Sequence, residues 1–254
     1  MRYREHPPPP ALRPFVRCLW ELEHDYGGST YSRERLWATP YAELLVLREG
    51  HYECGRTLRG VVFMGPRTRP LTLVADGPVD LVAARFEVGG AVGLLACPAG
   101  DVVDVVADAA DVGVATAAAS LGELGDRLAR ALRGATPDPV VATATRILEE
   151  RGGRASVAGL ARAAGTTVRT LQRRFDRSAG MSPGTLARII RFDRARELLV
   201  RDSRAGLAEL AAATGYADHA HLTRTFRDRF GLSPREFREL LREIAEAGVA
   251  PVQA

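Results

Sequence analysis

The chain has 254 residues, 46% of them hydrophobic and 26% charged, a globular composition with room for one or two domains that each bury a core. It contains no run of about 18 apolar residues that would span a membrane, and its polar start over residues 1–10, with Pro7 to Pro10 in a row, lacks the apolar stretch of a secretory signal. The net charge of +4 conceals an asymmetry: residues 151–240 hold 18 arginines and 9 acids, net +9, whereas residues 1–150 hold 16 arginines and 20 acids, net −4. A basic C-terminal part of this size meets a polyanion or is a solvated helical surface. There is no lysine, so arginine does every cationic job and its phosphate contacts can be forked and bidentate. Cys18, Cys54 and Cys97 are spaced for neither a disulfide framework nor a compact zinc site. The expectation is a reduced, cytoplasmic protein with small core cysteines, no metal and no other cofactor.

Taken in chain order, residues 11–22 follow the proline run as either a helix or a strand. Short apolar or alternating runs then predict strands at 41–48 (YAELLVLR), 60–64 (GVVFM), 71–75 (LTLVA) and 79–86 (VDLVAARF). Gly50, Gly55, Gly65-Pro66, Pro70 and Gly77-Pro78 separate them. Residues 89–96 (GGAVGLLA) read as a short helix ended by Pro98, with glycines for close packing rather than a dinucleotide fingerprint. Residues 1–112 thus form a β-rich domain, a small sheet or barrel whose concave face can hold a ligand, although nothing in the sequence names one. In the connector, 113–136, apolar residues at 121, 124, 128 and 132 have helical spacing. Two readings of that stripe stay open: a dimer seam, or packing against the β-rich domain. Gly134, Pro137 and Pro139 end the connector, and residues 137–254 read as helix throughout. Asp138 is placed as an N-cap with Pro139 at the first helical position. Five or six helices follow a first one at 139–151, broken by glycines at 153, 165, 180, 215 and 231. The fold class is α+β: a β-rich sensor-like domain, a helical connector and an all-α domain.

The all-α part contains an internal repeat. Val157-Ala-Gly-Leu160-Ala-Arg-Ala-Ala-Gly165 recurs 50 residues on as Leu207-Ala-Glu-Leu210-Ala-Ala-Ala-Thr-Gly215. Leu171-x-x-x-Phe175-x-x-x-x-Gly180-Met-Ser-Pro183 recurs 51 residues on as Leu222-x-x-x-Phe226-x-x-x-x-Gly231-Leu-Ser-Pro234. Each copy is helix, glycine turn, helix, glycine, Ser-Pro, which makes two helix-turn-helix units at about 156–180 and 206–231. The i, i+4 pairs Leu171/Phe175 and Leu222/Phe226 dock each second helix inward. Ser182-Pro183 and Ser233-Pro234 each start the next helix. One such pattern is weak evidence of DNA binding; two in tandem with matching punctuation are strong.

These residues resemble the AraC family of bacterial transcription regulators over about 138–242. The resemblance is carried by Leu160-Ala, Gly165, Leu171-Gln172-Arg173-x-Phe175 and Arg191-x-x-x-Ala195-x-x-Leu198-Leu199. It continues through Leu210-Ala-x-x-x-Gly215-Tyr216-x-Asp218, Leu222-Thr-Arg224-x-Phe226 and Phe230-Gly231-x-Ser233-Pro234-x-x-Phe237-Arg238, with Tyr216 where the family often has Phe. More weakly, Leu12-Arg-Pro14-Phe15-Val16 leading to Trp20, with Phe86-x-x-Gly89-Gly90, is similar to the sensor-like domain of some such regulators. The resemblance implies a non-enzymatic transcription regulator whose partners are double-stranded DNA and RNA polymerase. It leaves a small-molecule effector and a homodimer open.

Helical geometry then selects residues. The second helix of each unit, about 167–179 and 218–229, enters a major groove. With Val168, Leu171 and Phe175 inward, Arg169, Gln172 and Arg173 share the outer face at i, i+3, i+4. In the second unit Ala220, His221 and Arg224 point out. Arg suits guanine and Gln adenine, His221 reaches a base edge, and Ala220 meets a thymine methyl. Arg177 and Arg227, further along, suit phosphates. A linking helix over about 183–200 is roughly 27 Å long, comparable with the roughly 34 Å between successive groove segments of one duplex. Two alternatives stay open. An alkyl-transfer DNA-repair protein with the same reader needs a four-cysteine zinc cluster or an activated thiol. A sequence-tolerant nucleoid-type binder needs only the charge.

Overall fold

The structure, a computed structural model, describes residues 1–27, 33–114 and 118–246. Its N-terminal part is built on two antiparallel sheets. The first runs in the order β1 (Arg2–His6), β2 (Val16–Asp25), β9 (Pro78–Phe86), β4 (Glu43–Glu49), β7 (Val61–Met64), β10 (Val106–Asp108). The second runs β3 (Arg33–Leu36), β8 (Leu71–Val74), β5 (Tyr52–Glu53), β6 (Thr57–Leu58). Between them lies one apolar core in which Trp20, Leu22, Leu45, Leu47, Met64 and Leu81 meet Leu36, Tyr52, Leu58 and Leu73. The other face of the first sheet, with Leu19, Leu44, Val46, Phe63, Val82 and Phe86, is covered by α1 (Leu121–Ala131) through Leu124 and Leu128. A strand buried on both faces has no polar side to show. That is why the segments that became β4, β7 and β9 read as nearly continuous apolar runs.

The connector's stripe is thereby explained. Leu124, Leu128 and Leu132 are fully or almost fully buried on the sheet, so this face of α1 packs on the β-rich domain and is not free as a dimer seam. Ser120 and Glu123 start the helix as a capping box: Ser120 Oγ accepts from Glu123 N–H, and Glu123 Oε2 accepts from Ala119 N–H at 2.8 Å. Residues 115–117 of the predicted connector lie outside the described residues. The stretch 11–22 resolves into a single 3-10 turn, Pro10–Leu12, and the strand β2, while only Val92–Leu94 of the predicted helix at 89–96 is helical, again as one 3-10 turn.

Seven helices follow among the described residues: α2 (Pro139–Glu150), α3 (Val157–Ala163), α4 (Val168–Ala179), α5 (Pro183–Arg201), α6 (Leu207–Thr214), α7 (His219–Phe230) and α8 (Pro234–Glu246). Asp138 caps α2, its carboxylate accepting from Val140 N–H at 2.9 Å and Val141 N–H at 3.2 Å. The helices make two separate cores. Leu148, Leu160, Leu171, Phe175, Leu186 and Ile189 form the first; Phe192, Leu199, Leu210, Leu222, Phe226 and Phe237 form the second. The 19-residue α5 supplies the first core from its N-terminal half and the second from its C-terminal half. One continuous helix therefore joins the two units.

Candidate nucleic-acid interface

Each unit presents its second helix through the same local chemistry. Thr167 caps α4 by accepting from Thr170 N–H at 3.2 Å, and Asp218 caps α7 by accepting from His221 N–H at 2.7 Å. The latter bond, with the Ala220 N–H beside it, holds the Asp218 carboxyl below its usual range. Gly180 and Gly231 close the two helices in the left-handed conformation, their N–H groups donating to Asp176 and Arg227 carbonyls at 3.1 and 2.8 Å.

With Leu171, Phe175, Leu222 and Phe226 all at 0% exposure, the opposite faces are fixed. On α4, Arg169, Gln172 and Arg173 are exposed together, as the spacing requires, and Arg177 follows one turn on. On α7, Arg224 and Arg227 are exposed, Ala220 is half-buried, and His221 is half-buried with its ring edge-on to Tyr216 at 5.1 Å. Val168 departs from the expectation. It is 39% exposed rather than inward, although Leu171 three residues on is fully buried. Thr223 is the residue that sequence reasoning passed over. It lies at i, i+3 from Ala220 and beside Arg224, and the repeat offset of 51 maps Gln172 onto it. Its hydroxyl donates to the His219 carbonyl at 2.8 Å and keeps its acceptor lone pairs.

Several arginines of the helical region are engaged within the protein. Arg174 pairs with Asp138 at 2.9 Å, Arg191 donates to the Gly153 carbonyl at 3.0 Å, Arg196 pairs with Asp193 at 2.9 Å, and Arg229 donates to the Thr68 carbonyl. Arg169, Arg173, Arg177, Arg224 and Arg227 hold no ion pair within 4.0 Å among the described residues, although all five are exposed on the two second helices. Unpaired cations exposed on both second helices suit a ligand of repeating negative charge.

Nothing comparable surrounds the cysteines. Cys18 and Cys54 pack at the core between the sheets, Cys97 at the one beneath α1. Burial pushes the Cys18 thiol up to about 11 and raises that of Cys54, the direction opposite to activation. Among the described residues no three His, Cys, Asp or Glu side chains cluster as a metal site, and no helix is long and apolar enough to cross a membrane.

Comparison with known proteins places this geometry. Residues 160–240 match a family model described as a helix-turn-helix domain, and residues 4–108 match one described as a domain of unknown function, DUF6597. The HTH-type transcriptional activator RhaS of Escherichia fergusonii is 37% identical over 73 residues, 29% of this chain and 26% of that protein; RhaS of Escherichia coli O1:K1 / APEC is 34% identical over the same span. The chain thus spans about a quarter of the length of the curated relatives it matches. A Chromobacterium violaceum transcriptional regulator, titled as containing an AraC-type DNA-binding domain, covers 41% of this chain and 92% of its own at 26% identity and a TM-score of 0.38. ToxT of Vibrio cholerae covers 88% of this chain and 97% of its own at 12% identity and a TM-score of 0.48.

Proposed function

We propose that the chain, whose residues 160–240 match a helix-turn-helix domain, is an AraC-type regulator that controls transcription by reading two successive major-groove segments of one DNA site with α4 and α7. The observation that carries the reading is the duplicated outer face, with unpaired arginines on two helices joined by one shared rod. At about 1.5 Å per residue α5 is about 28 Å long, so both helices reach the same side of a duplex whose turns are about 34 Å apart. The mismatch calls for some DNA bending, at a few kcal/mol.

Roles follow from reach and chemistry. Arg173 and Arg224 occupy equivalent mid-face positions and read guanine through O6 and N7; Gln172 and Arg169 flank the first, Ala220, His221 and Thr223 the second. Arg177 and Arg227 lie toward the helix ends and hold phosphates. The β-rich domain governs this reading through the contacts described below.

The test is selection of sites from a random DNA pool by the full chain, followed by binding at several salt concentrations. Arg173→Ala and Arg224→Ala are each expected to relax one different position of one asymmetric site, at about 1–3 kcal/mol. Arg227→Ala is expected to weaken all sequences alike and to lower the salt slope by about one unit. If both mid-face variants select the wild-type motif with uniformly lower affinity, these arginines serve phosphates only. If the wild-type chain selects no motif, the sequence-specific reading fails.

A further inference from the structure

The β-rich domain grips the C-terminal ends of both second helices. At the end of α4, a Cβ on Gly180 would sit 2.2 Å from the Ala99 carbonyl oxygen, and one on Gly89 would sit 3.1 Å from the Ser178 carbonyl oxygen, so the two backbones are in direct contact. At the end of α7, Ala38 N–H donates to the Arg229 carbonyl at 2.9 Å, Arg229 donates to the Thr68 carbonyl, and Arg35 donates to the Gly231 carbonyl at 3.4 Å. Two of these contacts, both to the end of α7, come from a strap, the segment 35–41, that runs from the end of β3 toward β4.

Within that strap, neighbouring residues enter different cores. The Trp37 side chain packs in the second unit's core, its ring edge-on to Phe230 at 5.9 Å and under the Arg196 guanidinium at 4.2 Å. Ala38, 1% exposed, packs in the first unit's core, and Tyr41 donates to Glu149 of α2 at 2.7 Å. The strap is in turn fixed from behind. Thr39 and Arg67 exchange backbone hydrogen bonds at 2.9 and 2.8 Å, and the buried Arg67 side chain donates from Nε to the Trp37 carbonyl at 3.4 Å. Arg67 also pairs with Glu43, which accepts from Arg85 at 2.9 Å. None of these contacts covers Arg169, Gln172, Arg173 or Arg224, which stay exposed.

We infer that the β-rich domain is a bracket that fixes the spacing and angle between the two reading faces, with Trp37 and Ala38 as its latch, so that discrimination among half-site spacings resides outside the helix-turn-helix units. The inference rests on the proposed DNA reading. The bracket leaves the reading faces open and therefore acts on geometry, not by masking. Two modules held rigidly at the right span share a high effective concentration at a matching site, and lose it where the span is wrong. Trp37 is accordingly a positioning residue.

The experiment uses full-length protein and duplexes selected from a random pool by the wild type, with one base pair inserted or deleted between the two halves. Wild type is expected to lose about tenfold in affinity for each respaced duplex. Trp37→Ala is expected to bind the selected duplex about tenfold more weakly and to lose no more than about threefold on respacing. Trp37→Phe, which keeps a ring between Phe230 and Arg196, is expected to restore the wild-type pattern. Circular dichroism checks that Trp37→Ala folds. Should it not, Arg35→Ala combined with Tyr41→Phe removes one polar contact to each unit without opening a core, and is expected to flatten the spacing dependence in the same direction. A folded latch variant with the full wild-type spacing penalty would overturn the bracket, as would tighter binding of the selected duplex, which would mean that the domain masks the reader. Failure of the wild type to select any duplex would instead overturn the DNA reading itself.

Discussion

Gly180→Ala separates the cost of a left-handed turn from the cost of the domain contact. Two glycines of the first unit share nearly the same backbone: Gly165 at φ +63° and Gly180 at φ +65°. A Cβ on Gly165 meets nothing within 4 Å, so Gly165→Ala pays only for the left-handed conformation, about 1–2 kcal/mol. A Cβ on Gly180 meets the Ala99 carbonyl oxygen at 2.2 Å, its carbon at 2.6 Å and Val103 Cγ2 at 2.8 Å. Two of the three are backbone atoms, so no side chain can swing away. Ordinary contact requires the loop carrying Ala99 to move by about 1.3 Å, and overpacking of this kind costs about 1–3 kcal/mol more. Gly180→Ala is therefore expected to destabilise by about 2–5 kcal/mol in all, read from urea midpoints at unchanged slope. Hydrogen exchange should quicken at 99–103 in Gly180→Ala alone. The same variant should show the respacing tolerance expected of Trp37→Ala, since it pries the bracket from α4. Equal losses for the two glycine variants, within about 0.5 kcal/mol, would refute the claim that α4 ends against the β-rich domain.

Two further outcomes test the architecture. Glu34 has a carboxyl oxygen buried without a hydrogen-bond partner among the described residues, and burial raises its pKa to about 7. A carboxyl raised in the folded state keeps its proton there after the unfolded chain has lost it. Wild-type stability should therefore fall as pH rises from about 4.5 to about 7, by at most about 1.4 kcal/mol per pH unit, while Glu34→Gln removes that slope and is the more stable form at pH 8; a wild-type curve as flat as the variant's would refute the burial. Asp138→Ala strips α2 of its cap and Arg174 of its partner and should cost about 1–2 kcal/mol in urea unfolding, whereas Asp138→Asn keeps the cap and should cost at most about 1 kcal/mol; equal losses would mean that the ion pair, not the cap, holds the helix.

What the sequence reveals here follows from the range of the interactions involved. Helix-turn-helix punctuation is local: Asp138, Thr167, Ser182 and Asp218 cap helices within three residues of themselves, so the starts of α2, α4, α5 and α7 could be read to within about a residue. Central strands were legible from apolar runs, but β1, β3, β5, β6 and β10 were not. They are short or polar pieces, all but β5 at a sheet edge, with burial on few positions. Gly89-Gly90, read as close packing, do pack closely: a Cβ on Gly90 would lie 2.1 Å from the Phe15 carbonyl oxygen. Val168 misled because periodicity places it on the face of Leu171 and Phe175, yet at the first position of the helix it is 39% exposed while both of those are fully buried.

The strap shows the opposite limit. Leu36-Trp37-Ala38-Thr39 has no period and no motif, and its partners Arg196 and Arg229 lie more than 150 residues away in sequence. Only the folded chain brings Trp37 and Ala38 between the two cores. On the proposed reading, that placement would give the N-terminal domain a physical means of control. A rearrangement of the first sheet that moves Arg67 moves the Trp37 carbonyl it holds, and with it the strap seated on both helical units. The reading faces need not be touched for the site they fit to change, because a rigid pair of readers is selective for the distance between its two halves as well as for the bases in each.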